Sequence, residues 1–455
     1  MNRWGSAIRS SLRIGFGIGL VTTVFSTAAG AGDVAAPGPY KVGATFLVEL
    51  DPSRSHQNGL SRPLPIVTFY PADTGDVVGA PSARYPRNPF VNATTQVFLS
   101  TNFEARGIDA AYHLAPPSTG GPFPLLVLSQ GARAPYWYNI GIAARVASHG
   151  FIVALIAHYG EAAYANPAPS DPLNHVAQRG LDRILDMKLA IDRLLLRSAT
   201  PSDFFYGVID ADRVAVGGHS FGGLTAIQLV AGDDLVCDTY MAPTPPPAST
   251  CVPFLDVDER VKATVLLDAS TQNVKYHEME RIVVPTIGIG EDFDSIRAGF
   301  AGAIPPSLGA RAHHAMSGEP TYRVDVINSR HVPSFTNACQ SVLVRGDIGV
   351  LTQAQVLSEI VRLECNNPAL TPYQTANEIV WRYTTSFLKT HLADVQGYQK
   401  MLSPGWAVAR EPFAMFFVKE RKNGQTPNTE FPDDTWFHLS QPNPDMEDSP
   451  TAFEN

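Results

Sequence analysis

The chain has 455 residues, enough to bury a full hydrophobic core in one large domain with insertions or in two domains, and we expect one. Hydrophobic residues make up 44% and charged residues 17% of the sequence, values typical of a soluble globular protein. Acidic residues outnumber basic ones by 43 to 34, which argues against a nucleic-acid-binding surface and against an anionic-membrane surface.

Residues 1–31 have the layout of a secretory signal peptide. Three arginines precede an apolar stretch over about Ile14 to Phe25, and the small residues Ala29-Gly30-Ala31 form the predicted cleavage site. The apolar stretch is too short to span a bilayer comfortably. Cleavage removes three arginines and no acids, so the formal net charge changes from -9 to -12. We expect a secreted or periplasmic protein without a stable membrane anchor.

Four cysteines fit an oxidising compartment. Their spacing suggests two local disulfides, Cys237 with Cys251 and Cys339 with Cys365, although the sequence alone permits three pairings. Closely spaced Cys and His ligands of the zinc-binding type are lacking, so no metal site is predicted.

Two antiparallel strands are predicted at the start of the mature chain, over 42–50 and 65–70, with a polar connection that contains Asn58-Gly59. A segment rich in proline, glycine and asparagine follows over about 71–122, with a candidate short helix near 95–105. We expect this insertion to cover an edge of the sheet or the mouth of the site.

Strands and helices alternate from residue 123 onwards. Strands are predicted at 124–129, 151–157, 214–216, 261–267, 282–289 and 322–327, and helices at 138–149, 173–197, 224–230 and 377–391. This alternation predicts an α/β fold with a mostly parallel sheet covered by helices on both faces. The predicted domain covers 32–402, with further insertions at about 233–258 and 339–372. A C-terminal extension, 403–455, is rich in aromatic residues, and we expect part of it to pack on the domain.

The most informative stretch is Arg213–Gly223, because it contains a G-x-S-x-G pattern between a predicted strand and a predicted helix. That order is typical of a nucleophile elbow, in which a sharp turn exposes the serine at the carboxyl edge of the sheet. Gly218 and Gly222 would avoid collisions with the strand and helix. Ser220 is therefore the candidate nucleophile, and it requires a downstream acid and histidine.

His331 is the candidate base, because it lies in the loop directly after the last predicted strand of the domain and can reach Ser220 at the sheet edge. Four other histidines are weaker candidates: His158, His219, His313 and His314. His219 cannot fold back onto its neighbour's hydroxyl, and the pair at 313–314 is expected to be solvated. His158 ends a strand on the same edge and lines the pocket or is structural.

Two acids compete for the third role. Asp268 follows the strand 261–267, and Asp294 follows the next strand, so either can reach His331. Asp292 is weaker because it would point differently from the strand end. For the oxyanion hole, the backbone N–H groups of Phe221 and Ala132 are the candidates, since one donor follows the nucleophile and the other follows the third strand.

The stretches 124–132, 147–154, 218–223 and 265–270 together resemble the α/β-hydrolase superfamily. Within it the chain looks like platelet-activating-factor acetylhydrolases and bacterial dienelactone-hydrolase-like or polyester-hydrolase-like esterases. In the acetylhydrolases the triad acid resembles Asp268, whereas in cutinase-like esterases it resembles Asp294; we prefer Asp268. Gln130 stands where the acetylhydrolases usually carry histidine, which puts their substrate specificity in question.

These observations predict a secreted serine esterase that needs neither a metal ion nor an organic cofactor. Its expected partner is a small-molecule or lipid-like ester, which implies a role in lipid degradation. A cutinase-like polyester hydrolase and a non-catalytic binding protein of the same fold are the alternatives, and an intact Ser, acid and His set argues against the second.

Overall fold

The structure is a computed structural model. It describes residues 33–55, 60–86, 89–90, 102–104, 111–132, 134–160, 172–235, 253–271, 274, 276–291, 312–340 and 363–419. The predicted signal peptide, the predicted Cys237–Cys251 disulfide and the candidate acids Asp292 and Asp294 lie outside the described residues.

Fourteen strands are described in chain order. They are β1 (Lys41–Ser55), β2 (Ser61–Ala72), β3 (Arg84–Pro86), β4 (Asn102–Glu104), β5 (Tyr112–His113), β6 (Phe123–Ser129), β7 (Ile152–Ile156), β8 (Ile209–His219), β9 (Asp233–Leu235), β10 (Pro253–Leu255), β11 (Val261–Leu267), β12 (Thr286–Glu291), β13 (Thr321–Val326) and β14 (Ala414–Lys419). Ten of them form one sheet in the order β14-β13-β12-β11-β8-β6-β7-β2-β1-β5.

The centre of the sheet is parallel. Neighbouring strands pair in parallel from β7 through β6, β8, β11 and β12 to β13, whereas β2 joins β7 and β1 in antiparallel pairs. Every residue of β6 and β7 is buried, as expected of central strands that are covered on both faces. The predicted mostly parallel α/β architecture is therefore confirmed.

Six α-helices are described: α1 (Ile140–Ser148), α2 (Pro172–Ala199), α3 (Phe221–Ala231), α4 (Tyr276–Glu280), α5 (Tyr373–His391) and α6 (Pro404–Arg410). The apolar residues of α1 and α5 pack into one large core cluster, and those of α2 and α3 pack into the other. Helices thus cover both faces of the sheet, as the alternation of elements predicts. Among the described residues, no helix is long and apolar enough to cross a membrane.

Two elements, β4 and β12, differ from the sequence-based expectations, whereas the packing of the C-terminal segment and one disulfide agree with them. Residues 102–104 form β4, which pairs with β3, where the candidate helix 95–105 was expected to end. β12 begins at Thr286, so the apolar residues just before it precede the strand. Within the predicted C-terminal extension, β14 pairs with β13 and extends the main sheet. Cys339 and Cys365 form the predicted disulfide.

A buried ionic cluster joins Asp186 of α2 to side chains from β1, from β2 and from the loop after β7. The Asp186 carboxylate is fully buried and accepts hydrogen bonds from Arg54 at 2.7 Å, from Arg62 at 2.7 and 2.9 Å, and from the His158 ring at 3.0 Å. Burial raises the pKa of Asp186, but the Arg62 guanidinium and its neighbours outweigh this and hold the pKa well below its usual value. The cluster therefore stabilises the fold only while Asp186 is ionised.

We expect Asp186→Asn to lower the free energy of unfolding at pH 7 by about 3–5 kcal/mol, because the buried Arg62 guanidinium loses its 2.7 Å contact with the Asp186 carboxylate and retains a longer one, at 3.3 Å, with Asp182. Urea denaturation measures this loss. Because the folded pKa is depressed, wild type should lose the same stabilisation as the pH falls below the unfolded value near 3.8. The control is Asp192→Asn on the same helix, whose half-exposed ion pair with Arg260 is worth less than about 1 kcal/mol. Equal losses in the two variants would contradict this account.

Candidate active site

Ser220 occupies a sharp turn between β8 and α3. Its backbone has φ 54° and ψ -119°, a conformation that a residue with a side chain rarely adopts. A Cβ atom on Gly222 would lie 2.0 Å from the Ser129 carbonyl oxygen, and one on Gly218 would lie 2.5 Å from the same atom. Because both positions exclude a side chain, the G-x-S-x-G pattern has the physical role that the sequence analysis assigned to it.

Asp268 and His331 meet beside this turn. Asp268 follows β11, the strand next to β8, and the Ser220 N–H donates to the carbonyl of Leu267 at 2.9 Å. His331 lies in the loop after β13, and its Nδ1 is 2.5 Å from Oδ2 of Asp268. Hydrogen bonding at Nδ1 leaves Nε2 as the nitrogen that can take a proton from a hydroxyl group.

The loop that carries His331 is attached to the Ser220 turn by His219. The His219 Nε2 donates to the backbone carbonyl of His331 at 2.7 Å, and the two imidazole rings are 4.5 Å apart. His219 is almost fully buried, and burial lowers its pKa well below the usual value, so it stays neutral. The sequence indicated that His219 is not the base, but it did not predict that His219 bonds the backbone of the His331 loop. That contact exists only because the folded chain brings the two segments together.

Glu291, at the end of β12, adds a second carboxylate that the sequence analysis missed. Ligand atoms of Asp268, Glu291 and His331 lie within 4.8 Å of one another, and the Glu291 N–H donates to Asp268 Oδ1 at 3.4 Å. The ligand atoms of these three groups are close enough to hold a divalent cation. An ion bound to Nδ1 of His331 would, however, replace the hydrogen bond between that nitrogen and Asp268. The signal in the sequence was a carboxylate at the end of a strand adjacent to β11.

The two candidate N–H donors of the oxyanion hole lie in segments that follow β6 and β8 at the same edge of the sheet. Phe221 begins α3, and the exposed Ala132 lies in the loop after β6, whose last residue Ser129 pairs with Gly218 near the end of β8. The N-terminus of α3 also carries the positive end of the helix dipole, which favours an anion near Ser220. This edge therefore combines a hydroxyl, an imidazole, a carboxylate and candidate N–H donors.

The remaining predicted histidines lie elsewhere. His158 is buried and bonds Ser129 Oγ at 2.8 Å and Asp186, so it is part of the ionic cluster. His314 is exposed, as expected, whereas the expectation that His313 is solvated was wrong: its Nε2 is buried, and burial lowers its pKa to about 3. Its apolar neighbours in 312–316 pack against the core, and this draws the ring inward.

The pKa of His331 sets the expected pH dependence. Although burial lowers it, the carboxylates of Asp268, Glu291 and Glu364 together hold the pKa of His331 above 6.5. A protonated imidazole cannot accept the Ser220 proton, so we expect kcat/KM to fall as the pH drops through a value above 6.5. Rates of ester hydrolysis measured across about pH 5 to 8 give the acidic limb of the kcat/KM profile. An acidic limb with its midpoint below pH 6.5 in wild type would contradict the assigned contacts of His331.

The chain is similar in sequence to known proteins over part of its length. The chain is 26% identical over 250 residues to the platelet-activating factor acetylhydrolase of Cavia porcellus, covering 45% of this chain and 55% of that protein. It is 28% identical over 167 residues to the platelet-activating factor acetylhydrolase of Canis lupus familiaris, covering 28% and 38%. The matches thus span about half or less of these relatives' length. No protein-family model matches the chain.

Among solved structures, a ferulic acid esterase from Streptomyces cinnamoneus superimposes with a TM-score of 0.53 at 21% identity, covering 84% of this chain and 98% of that one. At this identity the likeness concerns the fold alone. It agrees with the central parallel sheet and with the helices on its two faces. The chain therefore has an α/β-hydrolase fold and is similar in sequence to the platelet-activating factor acetylhydrolases.

Proposed function

We propose that the chain is a carboxylic ester hydrolase that uses Ser220 as nucleophile, His331 as general base and acid, and Asp268 as the acid that orients the imidazole. The observation that carries this proposal is the Asp268–His331 hydrogen bond beside a serine held in a strained turn. The sequence similarity to acetylhydrolases, which covers part of the chain, supports the same reaction class.

In the first half-reaction, the Ser220 Oγ attacks the ester carbonyl carbon while His331 Nε2 takes the hydroxyl proton. The carbonyl oxygen becomes an oxyanion, which accepts hydrogen bonds from the Phe221 and Ala132 N–H groups. The C–O bond to the alcohol then breaks, and His331 returns the proton to the leaving oxygen. An acyl group remains bound to Ser220.

In the second half-reaction, water attacks the acyl carbon, and His331 takes one of its protons. Collapse of the second tetrahedral intermediate returns that proton to Ser220 and releases the carboxylic acid. Asp268 stabilises the imidazolium form in both halves, since its carboxylate bonds Nδ1. The five groups required for this cycle come from the protein chain itself, and the proposed steps use no metal ion or cofactor.

The proposal also places the protein outside the cytoplasm. Residues 1–31 have the composition of a secretory signal, and the Cys339–Cys365 disulfide is compatible with an oxidising compartment. The substrate class is a small-molecule or lipid-like ester. We propose secretion or a periplasmic location as the setting of this activity.

Hydrolysis of p-nitrophenyl esters from acetate to octanoate by the mature protein tests this function. We expect turnover together with a rapid initial release of p-nitrophenol equal in amount to the enzyme, because p-nitrophenol leaves during acylation and deacylation of such activated esters is expected to be the slower step. The chain-length profile reports the size of the acyl pocket. A folded protein that hydrolyses none of these esters nor a polyester film would overturn the proposal and favour a binding role.

A further inference from the structure

Arg183 on α2 is a buried cation that contacts the loop after β6. Its side chain is 1% exposed, which is rare for arginine. The Nη2 atom donates to Ser129 Oγ at 2.9 Å and also to the backbone carbonyl of Gln130. These residues begin the loop that leads to Ala132, the candidate oxyanion donor on this side of the site.

The same guanidinium contacts the first turn of α3. Its central carbon lies 4.9 Å from the centre of the Phe221 ring, and its Nε donates to Thr225 Oγ1 at 3.3 Å. Thr225 in turn donates to the Phe221 carbonyl at 2.9 Å. Arg183 therefore touches both segments that carry the candidate N–H donors, and its planar fork and flat face suit it to do so.

The ionic cluster also bonds Ser129, the residue from which this loop leaves β6. Ser129 Oγ, which accepts from Arg183, is also 2.8 Å from the His158 ring, and that ring bonds the buried Asp186 carboxylate at 3.0 Å. Pairing between β6 and β8 ends at Ser129 and Gly218, so the loop beyond this pair is not held by strand pairing with β8 and gains from side-chain contacts. Arg183 supplies two such contacts.

We propose that Arg183 is a positioning residue that fixes the separation between the Ala132 and Phe221 N–H groups in the oxyanion hole. The inference rests on the proposed ester hydrolase function. Donors aimed at a developing oxyanion act in the transition state far more than in the ground state. Displacing one donor by about 1 Å costs on the order of 100-fold in rate.

Arg183→Met, which keeps an unbranched apolar stem and removes the cation and its donors, tests this role. We expect kcat to fall by about 100-fold while KM stays within about threefold, since the interaction is made in the transition state. Affinity for an alkyl boronic acid, which forms a tetrahedral adduct with a nucleophilic serine, should fall in parallel. Arg183→Lys, which keeps the charge but has neither fork nor flat face, should recover part of kcat.

The matched control is Arg193→Met on the same helix, because Arg193 is partly exposed and bonds Glu49 and the Leu50 carbonyl away from the site. We expect its kcat and boronate affinity to match wild type. If Arg183→Met does not fold, Ser129→Ala removes one acceptor of Arg183 and should lower kcat by about tenfold at unchanged KM.

Two results would overturn the inference. One is an Arg183→Met or Ser129→Ala protein that is folded and keeps the wild-type kcat and boronate affinity. The other is a rise in KM with kcat unchanged, which would assign these residues to substrate binding. Wild type and Ser220→Ala are measured in the same assay, so absence of a difference between those two reports failure of the proposed function instead.

Discussion

Ser220→Ala is expected to lower kcat by about 10⁴-fold or more, the largest effect of any single substitution in this protein, because it removes the atom that forms the acyl-enzyme. The strained turn and the glycines around it do not depend on the hydroxyl, so the variant should fold and unfold like wild type. Steady-state hydrolysis of p-nitrophenyl butyrate measures the loss, and circular dichroism checks the fold.

Ser270→Ala is the matched control for this substitution. Its Oγ lies 3.4 Å from the Ser220 Oγ, so it is a second hydroxyl at the same place that the proposed mechanism does not use as nucleophile. We expect the Ser270→Ala protein to keep kcat within about tenfold of wild type, the loss of one neutral hydrogen bond. A Ser220→Ala protein that is as active as Ser270→Ala would contradict the nucleophile assignment.

Asp268→Asn is expected to lower kcat by about 10³- to 10⁴-fold at neutral pH. The amide has the shape of the carboxylate but can donate a hydrogen bond, so it favours the wrong imidazole tautomer and does not stabilise the imidazolium ion. The acidic limb of kcat/KM should also move to lower pH, because Asp268 is the strongest of the carboxylates that raise the pKa of His331. A pH profile of the variant measures both effects.

Two further variants separate the candidate acids. We expect Asp294→Asn and Glu291→Gln to keep kcat within about tenfold of wild type, since the observed Nδ1 contact of His331 is with Asp268. A larger loss in Asp294→Asn than in Asp268→Asn would assign the acid to the other position, which resembles that of cutinase-like esterases. Equal small losses from all three variants would contradict the proposed triad.

The parallel core was predictable because its signals are local. The run 261–267 is largely apolar and bounded by charged residues, and it forms β11 with the same bounds. For β12 the apolar run misled the prediction, since 282–285 continues the pattern although Val283 is 67% exposed. Pro285 lacks the N–H that a central strand needs, and β12 begins directly after it.

Pairing between distant segments was the part of the fold that local patterns could not predict. β14 forms because Phe416 and its neighbours pair with β13, far earlier in the chain, and the sequence indicated only that this aromatic segment packs on the domain. The short β4 is strand rather than helix because Tyr85 and Phe103 pair across β3 and β4. Tertiary partners override intrinsic propensity in short elements such as these.

At the site, the order of motifs along the chain predicted His331 as the base and left Asp268 and Asp294 as alternative acids, of which the structure brings Asp268 to His331. Asp268 and His331 each follow a strand of the parallel sheet, and strand ends of this kind converge on one edge. The contacts of Arg183 and His219 were not predictable in this way, because each depends on how a helix or loop approaches the edge, and no sequence motif encodes that approach. Glu291 ends β12, next to β11, so its place at this edge could have been predicted from the sequence.

The most direct measurement of the central claim is covalent labelling with diethyl p-nitrophenyl phosphate, which phosphorylates an activated serine, followed by peptide mass spectrometry. We expect one stoichiometric modification, located on Ser220, with activity lost in proportion to labelling. His331→Ala should slow the labelling by several orders of magnitude, because the serine loses its base. Full inactivation with the label on another residue, or hydrolysis that persists after Ser220 is fully modified, would contradict it.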